Sequence, residues 1–104
     1  MISQPMKGLT NEQILKTKEN AEKKLSENGY IVINTFFDEF NDLMPEDVKQ
    51  KPLFYLAKSL ATMSRCDAVY FCEGWEKARG CKIEHAAAVD YGSQILYQVT
   101  QTNE

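Results

Sequence analysis

Apolar positions along this chain switch between two periods, and the switches mark out its helices and strands. Ile14, Leu15, Ala21 and Leu25 recur at helical spacing behind Thr10 and Gln13, whose spacing is that of a capping box. Asn28-Gly29 then stops the pattern, so a helix is predicted between Thr10 and that pair. Tyr30-Ile31-Val32-Ile33 follows as a short unbroken apolar run, the form of a parallel strand covered on both faces. Pro52 suits the first turn of a second helix carrying Phe54, Tyr55, Leu56, Ala57, Leu60, Ala61 and Met63. Asp67 through Cys72 reads as a strand, because Ala68-Val69-Tyr70-Phe71 is apolar and β-prone. Residues 79–91 form the next predicted helix, and Ile95-Leu96-Tyr97-Gln98-Val99 the last strand. Met1-Ile2-Ser3 leaves room only for a stub of strand before Gln4-Pro5-Met6-Lys7-Gly8, a loop bracketed by Pro and Gly.

Strands alternating with helices define an α/β chain. The expected architecture is a small three-layer sandwich, a parallel sheet of about four strands covered on both faces. Its length of 104 residues fits one domain over 1–104. Between residues 34 and 50 the pattern breaks: Asp38, Glu39, Asp42, Glu46 and Asp47 interleave with Phe36, Phe37, Phe40, Leu43 and Met44. So long a structureless loop is uncommon, and a short helix near Pro45 or a packed role for the aromatics is expected.

One residue conflicts with its position. At roughly 100° per residue, a helix over 79–91 puts Gly80, Cys81, Glu84, Ala87, Ala88 and Tyr91 on one arc, with Arg79, Lys82 and Asp90 opposite. The small-residue arc is the one that presses on the protein, and Glu84 lies inside it. A dry, unpaired acid costs on the order of several kcal/mol, against about 0.3 to 1 kcal/mol returned by a helix N-terminus. A polar cavity or a hydrogen-bonding partner is therefore expected beside Glu84.

Composition narrows the partners. A net charge of -3 argues against a nucleic-acid polymer or an anionic membrane surface, and no apolar run is long enough to span a bilayer. A small soluble ligand or a protein partner remains. Cys66, Cys72 and Cys81 form no C-x-x-C pair and leave an odd thiol, so a reducing, cytoplasmic setting is expected. With His85 as the single histidine and no Cys/His cluster at ligand spacing, no structural zinc site and no cofactor are expected, and a magnesium ion held by carboxylates and substrate is the one metal the composition leaves open.

Parallel sheets bind ligands beyond the carboxyl ends of their strands. Three segments should meet there: the loop from Ser3 to Gly8, the stretch opening at Asn34, and Glu73-Gly74-Trp75. Glu84 points into the same region. Taken singly, Trp75 reads as a packing residue, Glu76 as a capping or solvated acid, and His85 as a surface histidine.

Together, Ile2-Ser3-Gln4-Pro5-Met6-Lys7-Gly8, Cys66-Asp67-Ala68-Val69 and Gly74-Trp75-Glu76-Lys77-Ala78-Arg79-Gly80-Cys81-Lys82-Ile83-Glu84 with Ala88 resemble the nucleoside 2-deoxyribosyltransferase-like superfamily, in its short uncharacterised bacterial and phage branch. The resemblance implies a Rossmann-like sheet and cleavage of a nucleoside N-glycosidic bond, with Glu84 matching the nucleophile. It implies ligand contacts from Ser3, Gln4, Met6 and Gly8, from Ser59, and from Gly74, Trp75, Ala78, Arg79 and Gly80, the last two positioned for a 5'-phosphate. It also implies a homodimer or higher homo-oligomer.

The chain departs from the pattern at three places. Ala78, six residues before Glu84, and Ser59, eight before Asp67, stand where relatives carry polar or acidic helpers, and Gln4 replaces a glycine. Two other functions follow from those departures and from the loop over 34–50: a protein that binds or senses a nucleotide-like ligand without turnover, and a protein-interaction module.

Overall fold

The computed structural model describes residues 1–33 and 44–99. In chain order the elements are β1 (Ile2–Ser3), α1 (Asn11–Glu27), α2 (Lys51–Met63), β2 (Ala68–Phe71), a 3-10 turn (Trp75–Lys77), α3 (Arg79–Asp90) and β3 (Gln94–Tyr97). The strands form one parallel sheet in the order β1-β2-β3, with Ser3 beside Phe71 and Phe71 beside Tyr97.

Local chemistry accounts for the helix boundaries. Thr10 and Gln13 form the expected capping box, each side chain accepting from the other's backbone N–H. At the far end Gly29 takes φ 86°, a left-handed turn that a side chain would oppose. Pro52 lies in the first turn of α2, where its missing N–H costs nothing. Tyr91, expected on the buried arc of α3, instead caps that helix and is 89% exposed, because Gly92 turns the chain away at φ 75°.

β2 is buried over its full length, and its alternation divides the core in two. Val69 and Phe71 pack with Met1, Met63 and Ala88 on the side of α2 and α3. Tyr70 and Cys72 pack with Ile2, Ala21 and Leu25 on the side of α1. Helices thus cover both faces of a three-stranded sheet.

A sheet of about four strands was expected, and among the described residues there are three. Residues 30–33 form no strand: Tyr30 and Val32 pack against the α1-side core, whereas Ile31 is 94% exposed. Their apolar alternation is satisfied by one-sided packing, and an apolar run does not by itself specify a ladder partner. Residues 44–50 hold a turn, Val48 N–H donating to the Pro45 carbonyl at 3.3 Å, and no helix. The rest of the acidic aromatic segment, residues 34–43, and the carboxyl-terminal residues 100–104 lie outside the described chain.

Candidate functional site

The alternation that sends Met1 toward α2 and α3 sends Ser3 the same way, two residues on. There its Oγ donates to Glu84 Oε1 at 2.8 Å. Ser59, from α2, supplies a second hydroxyl to the same carboxyl. Three elements far apart in sequence therefore converge on an acid that is only 7% exposed. Cys81, one turn earlier on the same arc of α3, is buried too.

This environment raises proton affinity. Burial pushes the Glu84 carboxyl above its ordinary range, and the hydroxyls of Ser3 and Ser59 pull it partly back. Burial also pushes up the thiols of Cys81 and, in the α1-side core, of Cys72, the latter to about 12, which disfavours both thiolates. Neutral hydroxyls offset only part of what removing a carboxylate from water costs. A carboxylate held in this way is a stronger base and nucleophile than one in water.

The first turn of α3 lies one turn before Glu84. A methyl group added at Gly80 would meet no atom within 4 Å, so open space lies beside that turn. The N-cap, Ala78, offers no side-chain cap and the first turn has no acid, leaving the leading amides without a side-chain partner from those positions. Arg79 is exposed at the same end. Gly74 precedes it at φ 89°, with Pro5 Cγ 3.5 Å from where its Cβ would stand, so the turn after β2 abuts the loop after β1.

Not every expected residue turns toward Glu84. Gln4, expected among the ligand contacts, instead donates its Nε2 to the Ile14 carbonyl in α1 at 2.9 Å. Met6 is 51% exposed and Gly8 lies in an open turn at φ 80°. Ser3, Ser59 and Glu84 are brought together, and Gly74, Trp75, Ala78, Arg79 and Gly80 flank them along the chain that enters α3.

His85 is not the surface histidine expected. It is half-buried, its ring stacked on Trp75 at 3.9 Å and edge-on to Phe71 at 4.9 Å, with Nε2 2.7 Å from Tyr97 Oη. Trp75 packs against Phe71 at 5.5 Å between ring centres. The part played by Tyr97 escapes sequence reasoning. It follows from the register that sets Tyr97 beside Phe71, information that exists only after β2 and β3 have paired.

Among the described residues no group of three or more His, Cys, Asp or Glu side chains is placed to hold a metal ion, and no helix is long and apolar enough to cross a membrane. A cavity of about 250 Å³ does lie elsewhere, lined by Met1, Leu25, Tyr30, Asp67, Ala68 and Leu96 among others. It sits toward the amino ends of β1 and β2 and includes none of the Glu84 cluster. In a parallel sheet ligand chemistry gathers at the opposite, carboxyl ends, which makes Glu84 the better candidate despite the cavity's size.

A parallel α/β domain with a buried, hydroxyl-bound acid at the carboxyl edge of its sheet is the class that fold and site define. The family model described as "Domain of unknown function (DUF4406)" matches residues 1–97, and the chain belongs to that family. No curated protein and no solved structure matched the chain.

Proposed function

We propose that the Glu84 site takes a nucleoside or nucleotide in a Rossmann-like domain of nucleoside 2-deoxyribosyltransferase type, with Glu84 attacking the anomeric carbon of the sugar. The observation that carries this reading is the Ser3–Glu84 hydrogen bond of 2.8 Å, which ties the end of β1 to a buried acid one turn into α3. In the first step a Glu84 oxygen forms a bond to the anomeric carbon. The N-glycosidic bond breaks with its electron pair going to the base, which takes a proton from solvent. In the second step water, or a second base, bonds to the anomeric carbon and loses a proton to solvent as the glycosyl ester's C–O bond breaks and Glu84 leaves as carboxylate, giving hydrolysis or transfer. Ser3 and Ser59 orient the carboxylate, while Arg79 and the leading amides of α3 suit a 5'-phosphate. The reading includes a cytoplasmic setting, consistent with three free thiols.

One observation favours a second reading, a protein that binds such a ligand without turnover. The partners of Glu84 are hydroxyls, and Ala78 brings no polar side chain to the entrance, so no second acid or base accompanies it among the described contacts. Losing such helpers typically costs about 10²-fold or more in rate.

Incubation with a panel of deoxynucleosides and their 5'-monophosphates separates the two. Released or exchanged base, abolished by Glu84→Ala, establishes the enzyme. Thermal stabilisation by nucleotides with no base released selects the binding protein. Neither response to any member of the panel would remove both readings.

A further inference from the structure

The cavity at the amino ends of β1 and β2 has apolar walls and one buried polar group. Leu25 of α1, Val32, and Leu96 of β3 line it, all belonging to the α1-side core or packed against it. Arg65 and Asp67 line it too and are exposed, so the cavity opens to solvent beside the loop between α2 and β2. Their charges are opposite, and the rim carries no net charge with which to select an ion. Tyr70 supplies the polar group. It lines the cavity and is only 4% exposed, yet its hydroxyl has no hydrogen-bond partner among the described residues. No buried side-chain nitrogen or oxygen among those residues lacks a partner, so this hydroxyl must keep access to open space, and the cavity is the space Tyr70 borders. A phenolic hydroxyl there can donate or accept. Apolar walls with one placed polar group are the usual make-up of a small-molecule pocket. An apolar cavity of about 150 Å³ suffices for benzene. At about 250 Å³ this one admits one or two aromatic rings.

We propose that this cavity is a second binding site, for a small uncharged aromatic molecule bearing one hydroxyl or N–H group, which lies against Leu25, Val32 and Leu96 and hydrogen-bonds to Tyr70 Oη. The site is at the opposite end of the strands from Glu84, and its occupancy does not depend on the chemistry there.

Titration of the full ¹⁵N-labelled chain with phenol and, separately, with toluene tests it by NMR. The amide signals of Ala68, Tyr70 and Leu96 shift and saturate with phenol. The dissociation constant is on the order of 0.1 to 1 mM, within what about seven non-hydrogen atoms can supply. Tyr70→Phe, which removes a single oxygen and keeps the ring, weakens phenol about three- to tenfold and leaves toluene unchanged. Val32→Trp fills the space and weakens both ligands about tenfold or more, with circular dichroism reporting that the fold is retained. Amides at these positions that stay unmoved up to roughly 10 mM phenol, as in a cavity that holds water only, overturn the proposal. So do shifts confined to the residues around Glu84, or a phenol affinity indifferent to Tyr70→Phe.

Discussion

The two faces of the sheet are built on the same alternation and end in different chemistry. On the α1 side Ile2, Tyr70 and Cys72 meet Ala21 and Leu25, an apolar contact with no charged member. On the other side Met1, Val69 and Phe71 meet Met63 and Ala88, but the next position along β1 is Ser3, and with it come Glu84 and Ser59. No buried side-chain nitrogen or oxygen among the described residues is left without a partner, so the polar cluster is a completed arrangement. One face therefore supplies stability. The other trades some of it for a buried acid.

The largest test of that division is Leu25→Ala, which opens a cavity on the apolar side. It should cost about 2 to 5 kcal/mol in urea unfolding. The Glu84 titration, followed by ¹³C NMR of the labelled carboxyl, should stay where it is; movement would mean that the two faces are not independent. Ser3→Ala comes next. Loss of one of two hydroxyls from a buried acid should cost about 1 to 2 kcal/mol and raise the Glu84 carboxyl further, since the Ser3 bond favours the charged form.

A smaller effect should appear in the pH dependence of stability. Below the ordinary value of 4.5, Glu84 is protonated in folded and unfolded chains alike. As pH rises from there through the raised folded value, the unfolded chain ionises first, so this residue's contribution declines with pH and is lost above the folded value. Glu84→Gln should therefore gain in Tm relative to the native protein between the acid and neutral arms of a melting series. A constant difference across that range would contradict the raised carboxyl. Thiol labelling should perturb stability least and still separate the positions. Half-buried Cys66 should react in the native state, and Cys72 and Cys81 only on unfolding, visible as label counts with and without urea.

Much of the frame is legible in the sequence. The Thr10–Gln13 box, Pro52 and the apolar core of β2 act through near neighbours, and local patterns report near neighbours well. The buried arc of α3 was legible for the same reason: Cys81, Glu84 and Ala88 are its buried residues, and Arg79, Lys82 and Asp90 are exposed as their angles required. Residues 30–33 misled because one-sided packing and strand pairing leave the same apolar signature. Gln4 misled because its nearest carbonyl belongs to α1, ten residues on.

By itself, then, the sequence determined where the helices lie, that Ala68–Phe71 is a strand, and that an acid sits where apolar packing would exclude one. Periodicity and capping carry that information because they are properties of a single element. What holds the acid was decided only by tertiary structure. Ser3, Ser59 and Glu84 meet because β1 pairs beside β2 and α2 packs on α3, and Tyr97 reaches His85 through the register of β3. Those distances span the chain, and no local pattern encodes them.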